Sequence, residues 1–146
     1  LHGSVNWDQS SSGDIEIKTD PTPETACLIY PAKGKYQQSY VQPHLELISQ
    51  YLAALREPNT CLIVSGFGFN DDHLQGVIKR RLAAGMPVII VTRDATPNIE
   101  QLLRDHAHVI AVFKSGDGAV CHWNGNTLQS PEPLWQLDDF LKKFLE

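Results

Sequence analysis

The stretch Thr60-Cys61-Leu62-Ile63-Val64-Ser65-Gly66-Phe67-Gly68-Phe69-Asn70-Asp71-Asp72 decides the fold. Its first six residues are continuously apolar and β-branched, the pattern of a strand covered on both faces in a parallel sheet; a half-wetted hairpin strand would alternate. That strand runs directly into two closely spaced glycines. Asn70, Asp71 and Asp72 then offer capping side chains to a helix whose apolar face is Leu74, Val77, Ile78 and Leu82, and Ala84-Gly85 supplies its stop.

Downstream the same alternation repeats. Met86 to Thr92 (MPVIIVT) is a second buried strand, and Thr96-Pro97 is an N-cap followed by proline at the first helical position, opening a short helix through Leu102 and Leu103. His108 to Phe113 (HVIAVF) is a third strand. Strand and helix alternating in this way form right-handed crossovers, so the expected fold is α/β, a three-layer, doubly wound, Rossmann-like parallel sheet. Asn124-Gly125, flanked by Ala119–Trp123 and Asn126–Leu128, predicts a small, peripheral antiparallel hairpin on one edge. Leu134, Leu137, Leu141, Phe144 and Leu145 predict a closing helix from about Pro133 to Glu146, which packs on the sheet or a neighbouring subunit. Its polar side is not basic, which argues against a membrane surface.

Upstream, Leu45, Ile48, Leu52 and Leu55 place one buried face on a helix from His44 to about Arg56. Before it, Cys27-Leu28-Ile29-Tyr30 is a compact apolar run stopped by Pro31, with Lys33 and Lys35 just beyond the strand end. Residues 8–25 are rich in Ser, Thr, Asp, Pro and Gly and read as a loop or insertion, interrupted by one short strand at Ile15-Glu16-Ile17-Lys18. The chain opens on Leu1-His2-Gly3-Ser4 without an initiator methionine, and this opening reads as the end of a strand. The expectation is therefore a C-terminal part of one domain spanning residues 1–146, with its N-terminal part missing.

Composition excludes several function classes. A chain of 146 residues with 42% hydrophobic content can bury one real core, and its net charge of −5, with cations scattered apart from Lys79-Arg80-Arg81, lacks the electrostatic footprint of a nucleic-acid binder. Cys27, Cys61 and Cys121 lie in apolar runs with no paired spacing, so they read as small buried hydrophobes in a reducing compartment, with neither a disulfide nor zinc. His106, His108 and His122 show no metal-ligand spacing, and His73 falls in the first turn of its helix, where a solvated role is usual. No apolar stretch is long enough to span a bilayer, and a cytoplasmic location is expected.

In such a sheet, ligands bind outside the carboxyl ends of the strands. Three ends are expected along one edge: Gly66-Phe67-Gly68, Thr92-Arg93-Asp94 and Lys114-Ser115-Gly116-Asp117. The first lacks the third glycine of the dinucleotide phosphate fingerprint, and Asp71 and Asp72 would repel an anion at the following helix N-terminus. That loop suits a neutral, hydroxyl-rich moiety such as ribose or nicotinamide, or it is simply a tight strand-to-helix turn. Arg93 suits an adenosine phosphate or ribose, or pairs with Asp94. His2, beside a flexible glycine, is a candidate base at the lip of a cleft.

Taken in order, LHGSVNW, CLIYPAKGKY, CLIVSGFGFNDDHL and VIIVTRDATP resemble the C-terminal part of a sirtuin-type NAD-binding domain, in particular the divergent bacterial sirtuin-like domains of antiphage defence proteins. The resemblance implies that His2 is the catalytic base taking a proton from a ribose hydroxyl of NAD. It implies that Gly66, Phe67, Gly68 and Asn70 line the nicotinamide-ribose side, and that Thr92, Arg93 and Asp94 approach the adenosine ribose. Gly68 stands where that family usually has Ser, and Thr92 where it usually has Asn. The zinc-holding cysteine pairs of classical deacetylases are missing between Trp7 and Cys27, which favours water as the acceptor. The implied activity is NAD hydrolysis at the nicotinamide-ribose bond, an NAD-depleting effector of antiphage defence, competent only with the missing N-terminal half. Alternatives are a catalytically silent NAD or ADP-ribose sensor that regulates a partner ATPase or sensor protein, a zinc-free deacylase, and a scaffold used for oligomer contacts alone. A homo-oligomer is expected.

Overall fold

The computed structural model describes residues 3–20, 26–29 and 43–146, and at 72 and 73 the backbone alone. His2, Pro31, Lys33 and Lys35 lie outside the described residues. The chain divides into two compact units, Leu1–Ala54 and Leu55–Glu146.

The first unit holds a three-stranded antiparallel sheet in the order β2-β1-β3, made of β1 (Gly3–Gln9), β2 (Ile15–Ile17) and β3 (Ala26–Leu28), and helix α1 (His44–Ala54). The short strand expected at Ile15-Glu16-Ile17-Lys18 is β2, whereas Asp8 and Gln9, read as loop, belong to β1. β1 runs to Gln9 and turns through Ser10–Asp14 into β2, with Trp7 opposite Ile17 and Gln9 opposite Ile15. The turn is closed by Ser10 and Gly13, whose backbones bond each other at 2.9 Å, and Gly13 takes a positive φ of 91°. The opening segment was expected to end a strand, and Gly3 and Ser4 instead lie in one that continues to Gln9. The φ of Gly3, 83°, and its position against the carbonyl of Cys27 leave no room for a side chain, so only glycine fits at the start of β1.

The second unit is an α/β layer built on a five-stranded mixed sheet in the order β4-β5-β6-β7-β8. β4 (Leu62–Ser65), β5 (Val88–Val91) and β6 (Val109–Ser115) run parallel, joined by α2 (Asp72–Ala83) and α3 (Pro97–Asp105). The β-branched runs make these strands, because branched side chains pack well on a pleat buried on both sides. Helix α2 ends as the sequence predicts: Gly85 adopts a φ of 89° and its amide bonds Leu82 O at 2.8 Å, while the Met86 amide bonds Arg81 O at 3.0 Å. Helix α3 starts as predicted, with Thr96 as N-cap accepting from the Ile99 amide and Pro97 at the first turn.

The parallel register sets Val88 beside Val109, and Val64, Ile90 and Ala111 in one row, all of them buried. Adjacent right-handed crossovers put α2 and α3 on that face, and Ile78, Leu82, Ile99 and Leu102 are buried with it. The alternate row, Ile63, Ile89 and Ile110, faces the other way and stays partly exposed.

β7 (Gly118–Trp123) and β8 (Asn126–Ser130) extend the sheet antiparallel, with Asn124 and Gly125 both at positive φ in the two-residue turn. The hairpin is present, but β7 is not peripheral. It pairs with β6 along its whole length, and Ala119 joins Val91, Val112 and Phe140 in a core cluster. Closing helix α4 (Leu137–Phe144) is shorter than expected, because Pro133 to Gln136 form a turn instead of its first winding. Cys27 and Cys121 are partly buried, whereas Cys61 precedes β4 and is exposed, contrary to its reading as a buried hydrophobe. No helix among the described residues is long and apolar enough to cross a membrane.

Candidate functional site

β4, β5 and β6 run parallel, so their carboxyl ends share one edge, and that edge brings together Gly66, Phe67, Gly68, Asn70, Thr92, Arg93 and Asp94. The Gly66 amide donates to Val91 O at 3.2 Å, and the Thr92 amide donates to Val112 O at 3.0 Å, so the ladder reaches into both loops. The third end behaves differently. Ser115 pairs with Gly118, and Gly116-Asp117 is a two-residue hairpin turn, Gly116 at φ 59°, which leaves no loop to reach a ligand.

The β4–α2 loop is unusual in its backbone. Gly66 has a φ of 65°, which glycine adopts freely, but Phe69 has a φ of 57°, an uncommon conformation for a bulky residue. Burial helps to hold it: the Phe69 side chain is fully buried, and its ring lies 5.0 Å from that of Phe67. The remainder comes from the next loop. Thr96 Oγ1 donates to Gly68 O at 2.8 Å, Asn98 Nδ2 donates to Phe69 O at 2.8 Å, and Asn98 Nδ2 also reaches Asn70 Oδ1 at 3.0 Å. These bonds link residues 28 and 29 positions apart across the edge.

Gly68 sits inside this linkage. A Cβ there would come within 2.9 Å of Asn70 Nδ2 and 3.2 Å of Thr96 Cγ2, so a side chain at this position would require the Asn70 amide to shift. Glycine at this position goes with the cross-loop bonds. Asn70 itself has its side-chain oxygen committed to Asn98, and so acts here as a tie within the loop.

The second loop is open. Thr92 is partly buried, and Arg93 and Asp94 are exposed, their side chains 3.7 Å apart. An exposed pair of this kind contributes at most about 1 kcal/mol, so the guanidinium is readily released to a phosphate or hydroxyl. The Arg93 carbonyl accepts from the Lys114 amide at 3.1 Å, which fixes the backbone under that exposed head group.

Thr96 was legible as an N-cap, yet its second bond, to Gly68, was not; Asn98 gave one faint sign, a residue of modest helix propensity in the first turn of α3. In the first unit, Cys27 Sγ lies 3.8 Å from His44 Nε2, a pairing the sequence reading missed. Burial pushes the Cys27 thiol up, which keeps it protonated and makes it a poor nucleophile. Among the described residues no group of three or more His, Cys, Asp or Glu could hold a metal ion. No protein-family model matches this chain, and no match is found among curated proteins.

Proposed function

We propose that the chain is the C-terminal part of a three-layer, Rossmann-like, sirtuin-like domain that hydrolyses NAD. The single observation that supports this most is the pair of adjacent loops at the carboxyl edge, one glycine-bearing and held in an uncommon backbone shape, the other presenting an exposed arginine. Carboxyl edges of parallel sheets are where nucleotides bind. Glycines allow close approach of a ribose, and Arg93 offers a charge-assisted donor to an adenosine phosphate or ribose.

The reaction is cleavage of the C1′–N bond between ribose and nicotinamide. The bonding pair leaves with the nicotinamide nitrogen, water oxygen bonds C1′ through an oxocarbenium-like state, and a proton is released. The products are ADP-ribose and nicotinamide. His2 is the proposed base at a ribose hydroxyl, a role that needs its neutral form at working pH. Gly66 to Gly68 orient the nicotinamide ribose, and Thr92, Arg93 and Asp94 orient the adenosine end. The proposed setting is depletion of NAD in antiphage defence, in a cytoplasmic homo-oligomer that requires no zinc.

Nicotinamide release by the full-length protein tests this reading. His2→Ala is expected to lower the rate by about 100-fold or more, the scale of a lost general base, and an unchanged rate refutes the catalytic role. A second reading, a nucleotide sensor that binds without turnover, is favoured by one fact: the loop cluster itself carries binding groups and, among its described residues, no histidine. Binding of ADP-ribose by wild-type protein that releases no nicotinamide selects it.

A further inference from the structure

We infer that Thr96 and Asn98 are positioning residues that hold the Gly66–Asn70 loop in its ligand-binding shape; the inference rests on the proposed nucleotide site and extends it to side chains outside that site. Three observations converge. The loop contains a left-handed, non-glycine residue, Phe69, whose backbone favours relaxation to another conformation. Its carbonyls at Gly68 and Phe69 accept from Thr96 and Asn98 at 2.8 Å each, and its Asn70 side chain is engaged by the same Asn98 amide. A Cβ at Gly68 would press on the side chains of Asn70 and Thr96, two members of this linkage.

The chemistry of the linkage has a direction. The loop spends the carbonyl oxygens of Gly68 and Phe69 on the hydroxyl of Thr96 and the amide of Asn98. It also ties the two halves of the edge together: Thr96 and Asn98 follow Thr92, Arg93 and Asp94 within one short segment, so the spacing between the two ligand-contacting loops is set by these bonds.

Thr96 has a second job, since its hydroxyl oxygen also caps α3 through the Ile99 amide at 3.3 Å, and the test must separate the two roles. Thr96→Ser keeps both bonds. Thr96→Asp keeps an acceptor for the cap but cannot donate to Gly68 O. Asn98→Ala favours the helix while removing both donors to the loop.

In the full-length protein, ADP-ribose binding by calorimetry, KM and kcat for nicotinamide release, melting temperature and amide exchange at Gly68 to Asn70 are compared across these variants. Asn98→Ala and Thr96→Asp are expected to weaken ADP-ribose binding by about 10-fold, to raise KM more than they lower kcat, and to speed amide exchange in the loop. Thr96→Ser is expected to stay within about two-fold of wild type, since it keeps both bonds. Wild-type affinity and loop exchange in Asn98→Ala and Thr96→Asp overturn the inference. So does a loss shared equally by Thr96→Ser and accompanied by a fall in melting temperature, because that would be a helix-stability effect. Wild-type protein that binds neither NAD nor ADP-ribose refutes the nucleotide site and, with it, the role given to these residues; binding with no turnover refutes catalysis alone and leaves the affinity arm decisive.

Discussion

The two faces of the five-stranded sheet carry similar side chains and are covered very differently. On the face that the crossover helices cover, Val88, Ile90, Val109 and Ala111 are completely buried. On the other, Ile63, Ile89 and Ile110 line an open apolar cavity of about 350 Å³, walled by Phe140 and Phe144 of α4 and by Leu128 of β8. α4 packs Phe140 onto Val91, Val112 and Ala119 but covers only part of this face, and Leu128, Phe144 and Leu145 remain exposed. The lesson concerns function as much as stability. The apolar cavity has few groups with which to orient a polar ligand, whereas the carboxyl edge carries glycines, an arginine and a cross-braced loop. The proposed site is therefore at the edge, since specificity comes from a few fixed polar groups.

The two faces are expected to differ most in stability. Ile90→Ala, on the covered face, is expected to cost about 3 kcal/mol, the scale of a buried isoleucine truncated in a closed core. Ile89→Ala, one residue away on the cavity face, is expected to cost about 1 kcal/mol, because its side chain already borders open space. Urea denaturation of the pair measures the difference, and equal losses would show that the cavity face is as closed as the other.

Thr96→Val comes next. Losing the cap of α3 and the bond to Gly68 O together is expected to cost about 1 to 2 kcal/mol, read from the same denaturation. A loss below about 0.5 kcal/mol, the range of ordinary surface changes, would mean that the two loops are held by packing alone.

How much of this was legible in the chain follows from where each constraint comes from. TCLIVS, MPVIIVT and HVIAVF announced the parallel strands because burial on both faces demands unbroken apolar runs, and Thr96-Pro97 and Asn124-Gly125 announced a helix start and a hairpin because local backbone chemistry suffices there. β1 was harder to see. GSVNWDQ mixes polar with apolar residues, and only its pairing with β2 on one side and β3 on the other makes it a strand. The place of β7 in the core was hidden for a related reason: Ala119 and Cys121 are small, and their burial depends on a helix 20 residues later. At the candidate site the glycines and Arg93 stood out, but the bonds from Thr96 and Asn98 span all of helix α2 and a whole strand, and no local pattern encodes them.

Leu128→Ser is expected to change stability by less than about 0.5 kcal/mol, since the residue is 62% exposed at the edge of the cavity. A larger loss would reveal that something covers this face in solution. The smallest effect concerns the thiols. Burial pushes the Cys121 thiol above the ordinary value, whereas Cys61 is exposed, so alkylation at pH 8 is expected to be slower at Cys121 than at Cys61. With its folded value raised, the protonated Cys121 thiol favours the folded state below about pH 9, and that contribution is lost as pH rises through the raised value.

The carboxyl edge, and not the apolar cavity, is the proposed seat of the ligand. Titrating the full-length protein with ADP-ribose while following its backbone amides by nuclear magnetic resonance tests this directly. Perturbations concentrated at Gly66 to Asn70 and Thr92 to Thr96 are predicted. Perturbations centred on Ile89, Ile110 and Leu128, or none at saturating ligand, would contradict it.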